Sequence, residues 1–291
     1  MQLLRQVCRV KRYWFLLPAL VIYGVFMIYP MLHSVAISLH EWNGLAPDMT
    51  FVGLQNYVDF FQDPVSYRVL KNNVVWISFS LIFPVTLGLL LAVAVNQNIR
   101  GKTLFRSIFY SPAVLPMISV GIIWAWIYNP MFGALNAALR DLGLHSWTRG
   151  WLADPKTALY AVIATGIWKG TGFPMILFLA GLQDIPQELY ESAQIDGAAR
   201  FQVFRHITIP LLRETFIIVI SLVVVDSLKV FDLVYSMTWG GPGRATQVLA
   251  TWMYFNTFMY NKAGYGSAIA WVMTAISLII VFPYIKVMSR R

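Results

Sequence analysis

The chain has 291 residues, of which 58% are hydrophobic and only 12% charged. Soluble domains carry about 25% charged residues, so this composition excludes an ordinary soluble enzyme or binding module. The net charge of +9 would suit nucleic acid, but its placement along the chain reads as a membrane-topology signal, and the single cysteine, Cys8, excludes an intrachain disulfide or a cysteine zinc site.

Six apolar stretches have the ~17–25 residues that a helix needs to cross a bilayer. They run over 14–39, 72–95, 107–128, 158–181, 215–237 and 266–288. Backbone groups in lipid must bond within their own segment, so these are helices; a lipid-facing barrel would alternate in ~10-residue segments. The first stretch follows basic residues, as a signal peptide does, but it exceeds the ~7–15 residues of a signal core and reads as an uncleaved span. Placing the amino terminus in the cytoplasm gives the inner segments thirteen basic residues: Arg5, Arg9, Lys11, Arg12, Arg100, Lys102, Arg106, Arg200, Arg205, Arg213, Lys286, Arg290 and Arg291. The outer loops then hold seven: Arg68, Lys71, Arg140, Arg149, Lys156, Arg244 and Lys262. The positive-inside rule favours this orientation, with both termini cytoplasmic.

The first outer loop, 40–71, carries the turn residues Trp42, Asn43, Gly44, Pro47 and Asp48, then an apolar pattern over 51–61 that predicts a short interfacial helix. Gly101-Lys102-Thr103 imitates the end of a phosphate-binding loop, but the glycine required five positions earlier is Asn96, so the tripeptide is a basic turn. In the second outer loop, 129–157, Trp147 and Trp151 suit either a membrane surface or packing within the loop. Gly166 and Gly170 have the spacing of close helix–helix approach. His33, His40, His145 and His206 show no metal-ligand spacing, and no Gly-x-Ser-x-Gly elbow is present. No metal site and no catalytic residue is expected. No soluble domain or low-complexity tract interrupts the chain, so residues 1–291 read as a single membrane domain.

The inner loop at about 183–214 differs in character. Asp184 and Pro186 suit a helix start, and Glu188 and Glu191 complement the positive end of its dipole. Leu189, Ala193 and Gly197 share a face. Ser192, Ala193, Gly197 and Ala198 are small enough for a partner's backbone to approach, and Gly197 suits a left-handed cap. A second turn from Ala199 leads through Phe201 and Phe204 to Pro210, which limits continuation into the next span. Here the chain resembles the permeases of ABC importers. Glu191-Ser192-Ala193, Asp196-Gly197-Ala198 and Ile207-x-Ile209-Pro210 are similar to their Glu-Ala-Ala…Gly loop, with Ser192 for alanine and Ile209 for leucine. Leu17-Pro18-Ala19, Tyr29-Pro30, the stretch from Phe51 to Tyr57, and Thr238-Trp239-Gly240-Gly241-Pro242 resemble the carbohydrate-uptake (maltose and glycerol-phosphate) type.

That resemblance implies an all-α, type I importer permease with six transmembrane helices in a bacterial inner membrane. It implies a second permease as heterodimer partner, two cytoplasmic ATPase subunits and an extracytoplasmic solute-binding protein. It implies a sugar or oligosaccharide as substrate. ATP and magnesium bind the ATPase partners, and this chain binds no cofactor. Glu188, Glu191, Ser192, Ala193, Asp196, Gly197, Ala198 and Phe201 form the coupling helix and its edge. Substrate-path candidates come from ionisable and aromatic residues inside spans, which face a cavity or a partner. Asp226, Lys229 and Asp232 follow one another at helical spacing and read either as a salt-bridge ladder or as a polar lining. Ser227 joins them by the resemblance. Trp168 offers a face to a sugar ring beside Lys169, and Trp124 and Trp126 have the same chemistry. The competing readings are an ion-gradient-driven secondary transporter, which needs broken helices at mid-membrane, and an integral membrane enzyme.

Overall fold

The computed structural model describes residues 16–97 and 100–289. Arg5, Cys8, Arg9, Lys11, Arg12, Trp14, Arg290 and Arg291 lie outside the described residues. Four helices are long and apolar enough to span a membrane: α1 (Leu17–Ser38), α3 (Pro64–Asn96), the run Ala158–Gln183, and a last helix, α14 (Ala263–Ser289). The run divides at Thr171 into α7 (Ala158–Gly170) and α8 (Gly172–Gln183).

The third and fifth expected spans are not single rods. Within 107–128 the chain forms α4 (Lys102–Val114) and α5 (Met117–Ile127), bent by 95° at Leu115–Pro116. Pro116 has no N–H and drives Leu115 to an extended ψ of 140°. The fifth stretch, 215–237, lies on α11 (Arg213–Leu228), which follows α10 (Arg200–Leu211) at a bend of 68°, stops, and resumes as α12 (Asp232–Thr238). Pro210 does not end α10. A π turn at Phe204–Thr208 precedes it, and the bend falls at Leu212. Each bent pair counted as one span restores the expected six.

Two compact units can be distinguished. One holds the described residues up to Gln62 together with Met253–Val272. Its strands β1 (His40–Glu41) and β2 (Thr50–Phe51) form a small antiparallel hairpin, followed by α2 (Gln55–Gln62), the short helix expected in this loop. Buried Asn56 on α2 donates to the carbonyls of Ser38 and His40, each at 2.9 Å. A methyl group on Gly264 would collide with the His40 carbonyl, so the close approach requires glycine.

The other unit holds Asp63–Trp252 and the residues from Met273. Asp63 caps α3, its side chain accepting from the Val65 N–H at 2.8 Å, and Pro64 occupies the first turn. The 33 residues of α3 reach about 50 Å at 1.5 Å per residue, beyond the ~30 Å hydrocarbon layer. Its first turns, with Arg68 and Lys71, therefore project outside the apolar layer. Two cores form along this helix. One gathers Trp76 with Val120, Leu159, Val162, Ile163 and Leu233. The other gathers Val85, Leu89, Ala92 and Val95 with Met175, Phe178, Leu182 and Leu212. Between them, Trp76, Ser80 and Pro84 face a cavity. α6 (Ala134–Asp141) lies in the second outer loop, where Asn136 accepts from Trp151 Nε1 at 2.8 Å. Trp151 thus packs within the loop, whereas Trp147 is exposed.

Candidate functional site

The inner loop folds as α9 (Gln187–Ile195), entered from Pro186, with Glu188 in its first turn and Gln187 Nε2 donating to Glu191 Oε1 at 2.8 Å. Gly197 has φ 74°. The Ala198 N–H donates to the Ala193 carbonyl at 2.9 Å and the Gly197 N–H to that of Gln194 at 3.1 Å, the paired bonds of a left-handed helix stop. Gln202 Oε1 accepts from the Ala199 N–H at 2.8 Å and starts α10. Tyr190 OH and Thr208 Oγ1, 3.2 Å apart, tie α9 to α10.

Burial reassigns one face. Ala193 is only 8% exposed, so its small side chain permits close packing inside the chain, not approach by a partner. Nothing else in the chain lies within 4 Å of a Cβ built on Gly197, so within this chain only its left-handed backbone requires glycine. The outward surface has Ile195 (86% exposed) and Phe201 (69% exposed) as apolar prominences. Glu188, Glu191, Ser192 and Asp196 are exposed as well, and Ala198 is half-buried. Exposed apolar side chains in company with exposed polar ones are the composition of a protein-docking patch.

The second feature is a cavity of about 440 Å³ inside the larger unit. Trp76, Ser80 and Pro84 line it from α3, Tyr110 and Ala113 from α4, Lys169 and Gly170 from α7, and Phe173 from α8. Asp226 and Ser227 reach it from α11, Lys229 and Phe231 from the break, and Asp232 from the start of α12. Five of the six expected path residues therefore converge. Trp168 does not: it is 42% exposed and packs on Trp124, with ring centroids 5.4 Å apart. Trp124 is part of a core and Trp126 is exposed.

The ladder reading is also corrected. α11 stops at Leu228, so Lys229 and Asp232 do not sit on one continuous helix. Asp226, Lys229 and Asp232 form no ion pair and no side-chain hydrogen bond among the described residues. They leave acceptors and a donor to the cavity. Lys169, only 8% exposed, donates from Nζ to the Ala113 carbonyl at 3.0 Å. The Gly166–Gly170 pair divides: a Cβ on Gly166 would meet Trp76 at 3.0 Å, while Gly170 faces open space.

The sequence reading missed Trp76, Tyr110, Phe173 and Phe231. Trp76, Ser80 and Pro84 do repeat at four-residue spacing and so share a helix face, but nothing local says which face meets which. It also missed Asn72 and Asn73, two amides at the head of an apolar stretch. Asn72 Nδ2 donates to the carbonyls of Ala245 at 2.9 Å and Gln247 at 2.8 Å. Asn73 Oδ1 accepts from the Leu249 N–H at 2.7 Å, and its Nδ2 donates to the Ser227 carbonyl at 3.4 Å. The pair fastens the cavity wall at Ser227 to the segment after α12.

A sequence profile of the family described as binding-protein-dependent transport system inner membrane component matches residues 85–290. A probable ABC transporter permease of Pyrococcus horikoshii is 39% identical over 271 residues, covering 93% of each chain. The trehalose/maltose transport system permease protein MalF of Thermococcus litoralis is 37% identical over 284 residues, covering 94% of this chain and 92% of its own. A crystal structure of a bacterial alginate ABC transporter, in complex with an alginate pentasaccharide-bound periplasmic protein, is similar with a TM-score of 0.84 and 25% identity, over 97% of this chain and 96% of that one.

Proposed function

The chain belongs to the family of binding-protein-dependent transport system inner membrane components, and on that premise we propose that it is the permease subunit of an ATP-driven importer of a sugar or oligosaccharide. The observation that carries the substrate class is the cavity. The aromatic side chains of Trp76, Tyr110, Phe173 and Phe231 line about 440 Å³ together with Asp226, Ser227, Lys229 and Asp232. A sugar presents C–H faces and hydroxyl edges, and such a site offers both complements. The relatives whose names carry a carbohydrate support the same class.

Transport divides the labour between chains. A solute-binding protein delivers sugar on the outer side, a second permease completes the path, and two ATPase subunits hold ATP and magnesium. This chain contributes no catalytic group and binds no cofactor. Its α9 knob sits in a groove of an ATPase subunit, with Ile195 and Phe201 as apolar anchors and Glu188, Glu191 and Asp196 on the rim. When the ATPase pair closes, a rigid helix lodged in the moving groove turns α8 and α10, which flank it, as bodies. Both termini and α9 lie on the cytoplasmic side.

The test is uptake of radiolabelled trehalose, maltose and diacetylchitobiose by vesicles containing the whole assembly. Accumulation of at least one sugar that requires ATP, the binding protein and this chain is the expected result. Uptake by this chain alone on an ion gradient would overturn the proposal.

A further inference from the structure

The α4–α5 bend leaves a polar group without its usual partner. In an unbroken helix the N–H of Met117 would reach the carbonyl of Ala113. The 95° bend carries Met117 into the next helix, and that backbone bond is absent among the described residues. The Lys169 ammonium takes its place, 3.0 Å from the Ala113 oxygen. The contact joins α7 to the C-terminal end of α4, where a cation also meets the negative end of the helix dipole. The same side chain lines the cavity with Asp226, Lys229 and Asp232. Gly170 beside it faces open space.

This partnership is lopsided. A buried ammonium has three donors, and a neutral carbonyl satisfies one. Burial of a charge with no anion beside it is unfavourable, and no carboxylate pairs with Lys169 among the described residues. A ligand oxygen entering the cavity meets the two spare donors from the cavity side and pulls the ammonium off Ala113. We propose that Lys169 is a positioning residue that pins the α4–α5 bend through Ala113, and that hydroxyl or carboxylate oxygens of the transported sugar draw it away and release the bend.

The inference rests on the sugar-import reading for its ligand, but not for the pin itself. Asp226, Ser227 and Lys229 hold the sugar's other edge, whereas Lys169 is the cavity side chain that bonds the α4 terminus. A permease needs such a link, because the binding event in the cavity has to alter the spans around it.

The experiment uses the whole assembly in nanodiscs, with Cys8→Ser and spin labels at positions 104 and 122. Leu104 and Ile122 are exposed on α4 and α5. Distance distributions are recorded for the native lysine, K169R and K169M, without sugar and with whichever of trehalose, maltose or diacetylchitobiose the vesicles accumulate. Without sugar, K169R should reproduce the native distribution and K169M should displace it. Sugar should move the native protein toward the K169M distribution and leave K169M unmoved. Uptake by K169M should show KM raised about tenfold, equivalent to ~1.4 kcal/mol, with K169R restoring most of it. A K169M distribution that superimposes on the native one without sugar overturns the pin; a K169M response to sugar equal to the native response overturns the release. K169Q, which keeps a donor without charge, is held to the same outcomes if K169M does not assemble. Failure of every sugar to accumulate would count against the import reading, while the sugar-free comparison still decides the pin.

Discussion

Gly197 stands at φ 74° with open space around it. Its role is backbone geometry, and any L-residue there meets a left-handed strain of about 1–2 kcal/mol. Gly197→Val should therefore fray the C-terminal turn of α9 while leaving insertion unchanged. Measured in the assembled complex, sugar uptake per ATP hydrolysed should fall severalfold, with ATPase activity retained. An unchanged ratio would remove the knob from the coupling path. The left-handed stop was legible in the sequence, because a glycine after a helix-forming run has a strong local preference. The burial of Ala193 was not, because it depends on how Tyr190 and Thr208 bring α10 against α9. Trp168 makes the same point: an indole inside a span is compatible with cavity, core or lipid, and only the packing on Trp124 decides.

At the scale of elements, the helices were readable and their continuity was not. Hydropathy counts residues and is blind to direction, so 107–128 read as a rod although Pro116 already signalled a break. The fifth stretch stops at Leu228 with no proline nearby. There the Asn73 amide holds the Ser227 end of α11, and Phe231 leaves helical geometry at φ −133°. Asn73→Leu would leave the buried Leu249 N–H without its acceptor. The expected loss is about 1–3 kcal/mol, visible as a Tm several degrees lower in thermal unfolding of the purified assembly. No change in Tm would mean that the segment after α12 is held by other contacts.

For the whole molecule, the charge asymmetry and the apolar exteriors of α1, α3 and α14 require a membrane around the chain. Single cysteines placed at Ile195 and Leu142, both exposed, on a Cys8→Ser background test the orientation. An impermeant maleimide should label position 142 in intact cells and position 195 only after permeabilisation. The reverse pattern would invert the topology and detach α9 from any cytoplasmic motor. The sequence by itself determined the class of the molecule, the number of its apolar stretches, the amino-acid chemistry of the 187–198 loop and the ionisable residues placed inside spans. Those properties follow from composition and from spacing within a single helix, which every residue carries locally. The tertiary structure alone decided that the spans bend, that Trp76, Tyr110, Lys169 and Asp226 meet around one cavity, and which side of α9 faces outward. Convergence of faces from separate helices is set by packing between residues far apart in the chain, and no local pattern encodes it.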